Sequence, residues 1–261
     1  SQYSKIHFLN IFNKIKLMLF AKLLINCHKI FVQSISMKND LINFNNSLNQ
    51  NKIVTIYNPI NFDVIIDKSN KKNNNNKDIL NSNYLLYVGR LEKVKNLELL
   101  IFLFKHISAS LKEYKLIIIG DGSKKKSINK LINKKKLNND VVLLGFQDNP
   151  YPFISNAKLI ISTSLYEGYS SIILESIILN KKIFVSNCPG GNAEIFNLYG
   201  KNFLFNLEKM NDIYLTKLSR SILNILKNTE VKNDIKLLKE EILKKHNYIN
   251  RLMDYERAID E

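Results

Sequence analysis

The chain has 261 residues, 45% of them hydrophobic, and 39 Lys and Arg against 23 Asp and Glu give a formal net charge of +16. The apolar share excludes wholesale disorder, and two cysteines, Cys27 and Cys188, exclude a disulfide framework or a four-cysteine zinc site. Asn, Lys, Ile and Tyr are all heavily used, a pattern that AT-rich codons produce together, so the charge by itself leaves compositional drift and attraction to an anionic partner both open.

In chain order, the first residue is Ser rather than Met, which predicts a fragment boundary. Apolar residues at Phe8, Ile11, Phe12, Ile15, Leu19, Leu23 and Ile30 predict a helix over residues 5–29. Lys5, Lys14, Lys16, Lys22 and Lys29 form its polar side. Lysines interrupt the apolar stretch from Ile15 to Ile30 and no small-residue cleavage site follows it, so neither a membrane span nor a signal peptide is expected. A strand over residues 29–34, a helix over 36–44 and a second strand over 52–57 come next, the last ended by Asn58-Pro59. Residues 67–83 read as a flexible linker, because 67–78 hold no apolar side chain to offset the entropy of ordering them.

Beyond that stretch, strands and helices alternate. Strands are predicted over 84–88, 114–119, 141–144, 159–162 and 183–186. Helices are predicted over 96–111, 123–136, 150–155, 171–180 and 190–196, and the tail from Leu207 reads as two or three helical pieces. Ile, Leu and Val strands spaced by amphipathic helices predict an α/β fold, a Rossmann-like doubly wound parallel sheet covered on both faces. Such sheets bind ligands at the carboxyl ends of their strands. Gly89, Gly120, Gly122, Gly145, Gly168, Gly190 and Gly191 all follow predicted strands, and Gly200 alone stands apart. Glycine ends strands in many α/β folds, but seven on one rim also let backbone approach a ligand and expose amides for phosphate.

Two stretches carry the chemistry. Glu167-Gly-Tyr-Ser-Ser-Ile-Ile-Leu-Glu175 puts one carboxylate before a helix and one a turn inside it, with Ser170 or Ser171 at the cap and the N–H groups of Tyr169, Ser170 and Ser171 at the rim. An ordinary pair of glutamates is the plain alternative. Gly89-Arg90-Leu-Glu-Lys-Val-Lys95-Asn96 follows a strand, and its spacing lets Arg90 and Lys95 reach one anionic group; two surface cations are the plain alternative.

Together with Ile119-Gly-Asp-Gly122, Leu144-Gly-Phe146, Asn149-Pro150, Ser164-Leu-Tyr-Glu-Gly-Tyr169, Cys188-Pro-Gly-Gly-Asn-Ala-Glu-Ile195 and Asn202-Phe-Leu-Phe205, these stretches resemble glycosyltransferase family 4 of the GT-B superfamily across about residues 28–206. The resemblance implies a GT-B-type fold with a nucleotide-sugar (donor) binding domain at residues 84–245 and a C-terminal helix at 246–261. Residues 1–66 are similar to only the end of an N-terminal acceptor domain, in Phe31-Val-Gln-Ser34 and Ile56-Tyr-Asn-Pro-Ile-Asn61, so the chain is expected to be N-terminally truncated. Where the family often has Asp at the last of these positions, this chain has Asn61.

The resemblance also implies roles. Arg90 and Lys95 correspond to the pair on the donor diphosphate, Glu167 to the glutamate near the reacting carbon, and Glu175 to the acceptor of ribose hydroxyl hydrogen bonds. The backbone of Gly168 to Ser171 would hold phosphate or sugar hydroxyls, Phe146 would pack the base, and Gly89, Gly120 and Gly122 would give the nucleotide room. Glu167, Arg90 and Lys95 are thus the expected catalytic residues. The implied activity is retaining, metal-independent transfer from a nucleotide-sugar, UDP-linked, to a glycan or lipid-linked acceptor in surface polysaccharide synthesis, such as lipopolysaccharide or capsule. No further cofactor and no metal are implied, and no Asp-x-Asp sequence is present. A cytoplasmic site with peripheral contact to an anionic membrane is expected, and Lys124–Lys126 with Lys134–Lys136 form either that contact or a solvated face. Two alternatives remain open: a non-catalytic nucleotide-sugar-binding module and a GT-B UDP-sugar epimerase.

His7, His28, His106 and His246 lack metal-ligand spacing and read as structural or surface residues. Cys188 reads as a buried thiol. No nucleic-acid recognition motif accompanies the charge, so no nucleic-acid partner is expected.

Overall fold

The structure is a computed structural model that describes residues 11–71, 73–196, 203–228 and 231–260. Residues 5–10 of the first expected helix, with Phe8 and His7, lie outside the described residues, as do Gly200 and Asn202.

The chain starts with α1 (Ile11–Asn26), then β1 (Ile30–Val32), α2 (Ile35–Phe44) and β2 (Ile53–Thr55). β1 and β2 pair in parallel as a two-stranded sheet, and Leu24, Val32, Leu48 and Ile53 form the small core beside it. Lys52 Nζ donates to the carbonyls of Ile25 and Cys27, satisfying orphan acceptors where α1 ends.

The stretch expected to be a flexible linker carries helix. α3 (Phe62–Ser69) runs into it from one side, and α4 (Lys77–Leu80) precedes β3 (Asn83–Val88) on the other. Its polar residues are flanked by anchors that the main core accepts: Ile65 is buried, and Ile79 and Leu80 pack against the same cluster. The Asn149 amide also donates to the Lys68 carbonyl at 2.9 Å.

The remaining elements are α5 (Leu97–Ile107), β4 (Tyr114–Ile119), α6 (Lys125–Lys134), β5 (Val141–Gly145), α7 (Tyr151–Asn156), β6 (Leu159–Ser162), α8 (Ser171–Ile178), β7 (Ile183–Ser186), α9 (Asn192–Ile195), β8 (Leu204–Phe205), α10 (Asp212–Lys227), α11 (Val231–Lys245) and α12 (Tyr248–Asp260). Six strands form one parallel sheet in the order β5-β4-β3-β6-β7-β8. This is the expected doubly wound α/β sheet. Its central strands are apolar on both faces because helices cover both: Tyr84, Leu85 and Leu86 of β3 are fully buried. α5 packs with α6 and α10, while α8 packs with α3 and α11. β8 has no counterpart among the expected strands; two residues are too short for a period-2 pattern to show. The tail is three helices, and α12 returns to the N-terminal sheet, where Tyr255 packs on Phe31. Among the described residues no helix is long and apolar enough to cross a membrane.

Candidate functional site

β3 and β6 lie side by side where the winding reverses, β3-β4-β5 running one way and β6-β7-β8 the other. Such a switch point leaves a crevice outside the carboxyl ends of the strands. The two loops that border it bond to each other. Leu165 N–H donates to the Val94 carbonyl at 2.7 Å, and the Thr163 hydroxyl donates to the carbonyls of Lys95 and Asn96 at 3.1 and 3.0 Å. Lys95 Nζ lies 2.6 Å from Glu167 Oε1, and the Ser164 hydroxyl donates to the same oxygen at 2.6 Å. The structure therefore brings Lys95 to Glu167. Arg90 is exposed, and among the described residues no ion pair holds its guanidinium.

The neighbouring loops interlock by backbone. Leu91 N–H donates to the Asp121 carbonyl, Lys124 N–H to the Leu91 carbonyl and Gly120 N–H to the Gly145 carbonyl. A Cβ at Gly120, whose φ is +135°, would fall 1.9 Å from the Gly89 carbonyl oxygen, so only glycine admits this approach. At Gly122 the same space is filled by Leu91 backbone. The room these glycines make is thus occupied by the β3–α5 loop. Glu92 accepts from both the N–H and the hydroxyl of Ser123, which hold its carboxyl below the usual range. Phe146 follows Gly145 at the end of β5 and is 72% exposed.

α8 begins at the other side of the crevice. Ser170 is its N-cap residue, but the hydroxyl makes no capping bond, contrary to the expected serine cap. Among the described residues no acceptor is bonded to the N–H groups of Tyr169, Ser170 or Ser171. The N-terminus of α8 is left uncapped, with its partial positive charge uncompensated by a cap. Glu175 stands one turn inside, between buried Leu174 and Ser176. No hydrogen bond or ion pair holds its carboxyl among the described residues, and burial pushes it up to about 7.

Backbone pairing fixes Glu167. It forms a parallel bridge with Gly190, its N–H donates to the Pro189 carbonyl, and its own carbonyl accepts from Gly191 N–H. A Cβ at Gly190, φ +109°, would fall 1.5 Å from the Glu167 carbonyl oxygen. Tyr169 turns its side chain inward, where its hydroxyl bonds to His246 Nε2 at 3.2 Å and its ring packs on Tyr57. Burial raises the Tyr169 hydroxyl and lowers His246 to about 4. His246 is fully buried, and its Nδ1 donates to the Asn58 carbonyl at 2.9 Å, so it is structural rather than a ligand to anything bound. Cys188 is buried, its thiol raised chiefly by burial. Among the described residues no three His, Cys, Asp or Glu side chains gather where they could hold a metal.

Sequence reasoning missed Ser164 as the hydroxyl on Glu167 and Tyr151, the ring whose hydroxyl feels the Glu175 charge. Ser164 lies inside a motif that carries the resemblance; Tyr151 has no local signal, because only the fold brings it near Glu175.

The profile described as "Glycosyl transferases group 1" matches residues 67–237, more than half of the chain. A stretch of 108 residues is 38% identical to an uncharacterized glycosyltransferase of Methanocaldococcus jannaschii, covering 41% of this chain and 27% of that protein. Over 153 residues the chain is 32% identical to the N-acetylgalactosamine-N,N'-diacetylbacillosaminyl-diphospho-undecaprenol 4-alpha-N-acetylgalactosaminyltransferase of Campylobacter jejuni, covering 58% of this chain and 40% of that one. The chain thus spans well under half the length of these curated relatives. Among solved structures, a point mutant of S. aureus TarM in complex with Fondaparinux, alpha-GlcNAc-glycerol and UDP superposes with a TM-score of 0.74 at 20% identity over 92% of this chain and 45% of TarM. Anabaena HepE in complex with UDP-glucose gives 0.76 at 15% identity over 94% and 67%.

Proposed function

The chain belongs to the group 1 glycosyl transferases, and from that premise we propose that it carries the donor-binding half of a retaining, metal-independent enzyme. That enzyme would move a sugar from a UDP-sugar to a glycan or lipid-linked acceptor in surface polysaccharide synthesis. One observation carries this reading: two carboxylates, Glu167 and Glu175, flank the uncapped N-terminus of α8 beside the switch-point crevice. The named activity of the Campylobacter relative and the UDP-bound state of TarM agree with it.

In this reading the ribose hydroxyls donate to Glu175, whose desolvated carboxyl lacks donors of its own. The free N–H groups of Tyr169 to Ser171, with the planar fork of Arg90, hold the diphosphate. Lys95 has three donors, so it keeps Glu167 while offering another to a phosphate oxygen. Glu167, held by Lys95 and Ser164, faces the donor sugar. Gly89, Gly120 and Gly122 shape the wall beside the nucleotide, and Phe146 packs the base. The anomeric carbon exchanges its bond to the diphosphate oxygen for one to an acceptor hydroxyl oxygen, with configuration kept, and the hydroxyl proton passes to the departing diphosphate. Arg90, Lys95 and the α8 N-terminus stabilise the departing charge. Residues 84–245 form the donor unit. Lys126, Lys130 and Lys134 are exposed along α6 and would support peripheral contact with an anionic membrane face.

Thermal unfolding with UDP, GDP, ADP and UMP in parallel tests the proposal. Ligand at 100 times its dissociation constant adds about 2.7 kcal/mol, which raises the midpoint by about 5–10 °C. UDP should shift it most and UMP less. A flat response to all four from folded chain would overturn the nucleotide assignment.

A further inference from the structure

The start of α2 is tied to α9, next to the Glu167 loop, by hydrogen bonds between residues far apart in the chain. α2 has no acidic residue in its first turn. Glu194 of α9, 158 residues beyond Ser36, supplies the charge: Ile35 N–H donates to its Oε2 at 3.1 Å and Ser36 N–H to its Oε1. The Tyr57 hydroxyl lies 3.5 Å from Oε2. Ser34 Oγ accepts from Met37 N–H, so three successive amides at the start of α2 are satisfied. A carboxylate is favoured there by charge as well as by hydrogen bonding.

Glu194 also stands on the chain that holds Glu167. Three residues before it, Gly191 N–H donates to the carbonyls of Glu167 and Gly168, and Glu167 N–H donates to the Pro189 carbonyl. The two regions touch closely: a Cβ at Gly191 would fall 3.0 Å from Ser34 Cβ, and one at Gly168 would fall 3.5 Å from Met37 Sδ. A second tie is independent of Glu194 and runs from Tyr169 through His246 to the Asn58 carbonyl.

We propose that Glu194 is a positioning residue for Glu167. By gripping the first turn of α2 it fixes Gly190 and Gly191, and through them the Glu167–Ser171 loop, without touching a ligand. Its bearing on donor binding rests on the function proposed above. The Tyr169–His246 tie keeps the regions together when Glu194 is replaced, so the substituted chain folds with a looser loop.

Amide hydrogen exchange in the ligand-free chain, resolved by NMR, separates the two proposals. In Glu194→Ala the Ile35 and Ser36 amides should exchange at least about tenfold faster, and those of Glu167 and Gly191 at least about threefold faster, while Leu86 of the central strand is unchanged. Glu194→Gln keeps an acceptor oxygen and should restore most of the loop protection; it also serves if the alanine variant fails to fold. The UDP dissociation constant should rise about three- to tenfold in the alanine variant and less in the glutamine one. Acceleration confined to Ile35 and Ser36, with Glu167 and Gly191 as in the parent, would overturn the positioning role. Faster loop exchange with no UDP binding by parent or variant would strike the nucleotide reading and leave the positioning role standing.

Discussion

Glu167 and Glu175 flank one helix N-terminus, yet their surroundings are opposite. Glu167, with a side chain 12% exposed, is held by an ammonium and a hydroxyl that both reach one of its oxygens at 2.6 Å. Its backbone is pinned by Pro189 and Gly191. Glu175 has no such partner among the described residues, and its carboxyl is raised to about 7 by burial alone. The first site is satisfied before anything binds, and its geometry is set in advance. The second carries a desolvation cost that donors from a ligand would relieve. α8 can carry that cost because Ile173, Leu174, Ile177 and Ile178 are all buried beside it.

The sharpest way to break the contrast is to strip Glu167 of its cation. Lys95→Met leaves a largely buried carboxylate with Ser164 alone, and removing one partner of a buried pair should cost about 3 kcal/mol. Urea denaturation at pH 8 measures it. A loss under about 0.5 kcal/mol would mean that water already satisfies Glu167 and the two sites are alike.

Glu175→Gln should act in the opposite direction and somewhat more weakly. The unfolded carboxyl titrates near 4.3 and the folded one near 7. Between those values the folded chain holds the extra proton, so this group's contribution to stability falls as pH rises and stays low above 7. The neutral amide removes that loss, so the variant should gain about 2 kcal/mol at pH 8 and nothing at pH 4. If the ribose hydroxyls donate to Glu175, the gain should be accompanied by weaker UDP binding at pH 8, because they lose a charged acceptor. A variant with the parent's stability at both pH values would show that Glu175 is solvated like an ordinary surface carboxylate.

The two positions were legible in the sequence, though not the contrast between them. Strand runs such as 114–119 and 141–144 are rich enough in β-branched and leucine residues to mark them as strands, and the glycines that follow them, Gly120 and Gly145, located the rim. The spacing of Glu167 and Glu175 placed both at one helix start. What the sequence could not show was the pairing of Lys95 with Glu167, which depends on β3 and β6 being neighbours although 72 positions separate the two residues. The misread linker has a similar origin: residues 67–78 lack an apolar anchor until Ile79, but their helices are held by Ile65, Ile79 and Asn149, whose contacts are tertiary. Glu194 looked like part of a glycine-rich motif, and only the fold shows which amides it meets.

The smallest stability effect makes the sharpest test of function. The structure uses the carbonyl of Arg90, which accepts from the Tyr87 hydroxyl at 3.0 Å, and leaves its guanidinium exposed. Arg90→Gln keeps that carbonyl, so the unfolding free energy should stay within about 0.5 kcal/mol of the parent. If the guanidinium fork meets the diphosphate, UDP should bind about tenfold more weakly and the preference for UDP over UMP should shrink. Arg90→Lys restores the charge without the planar fork, so it should recover part of the affinity and little of the preference. A glutamine variant that binds UDP as tightly as the parent would remove Arg90 from the site. The burden of the diphosphate would then fall on Lys95 and the α8 amides, and the satisfied carboxylate at Glu167 would have to share its cation.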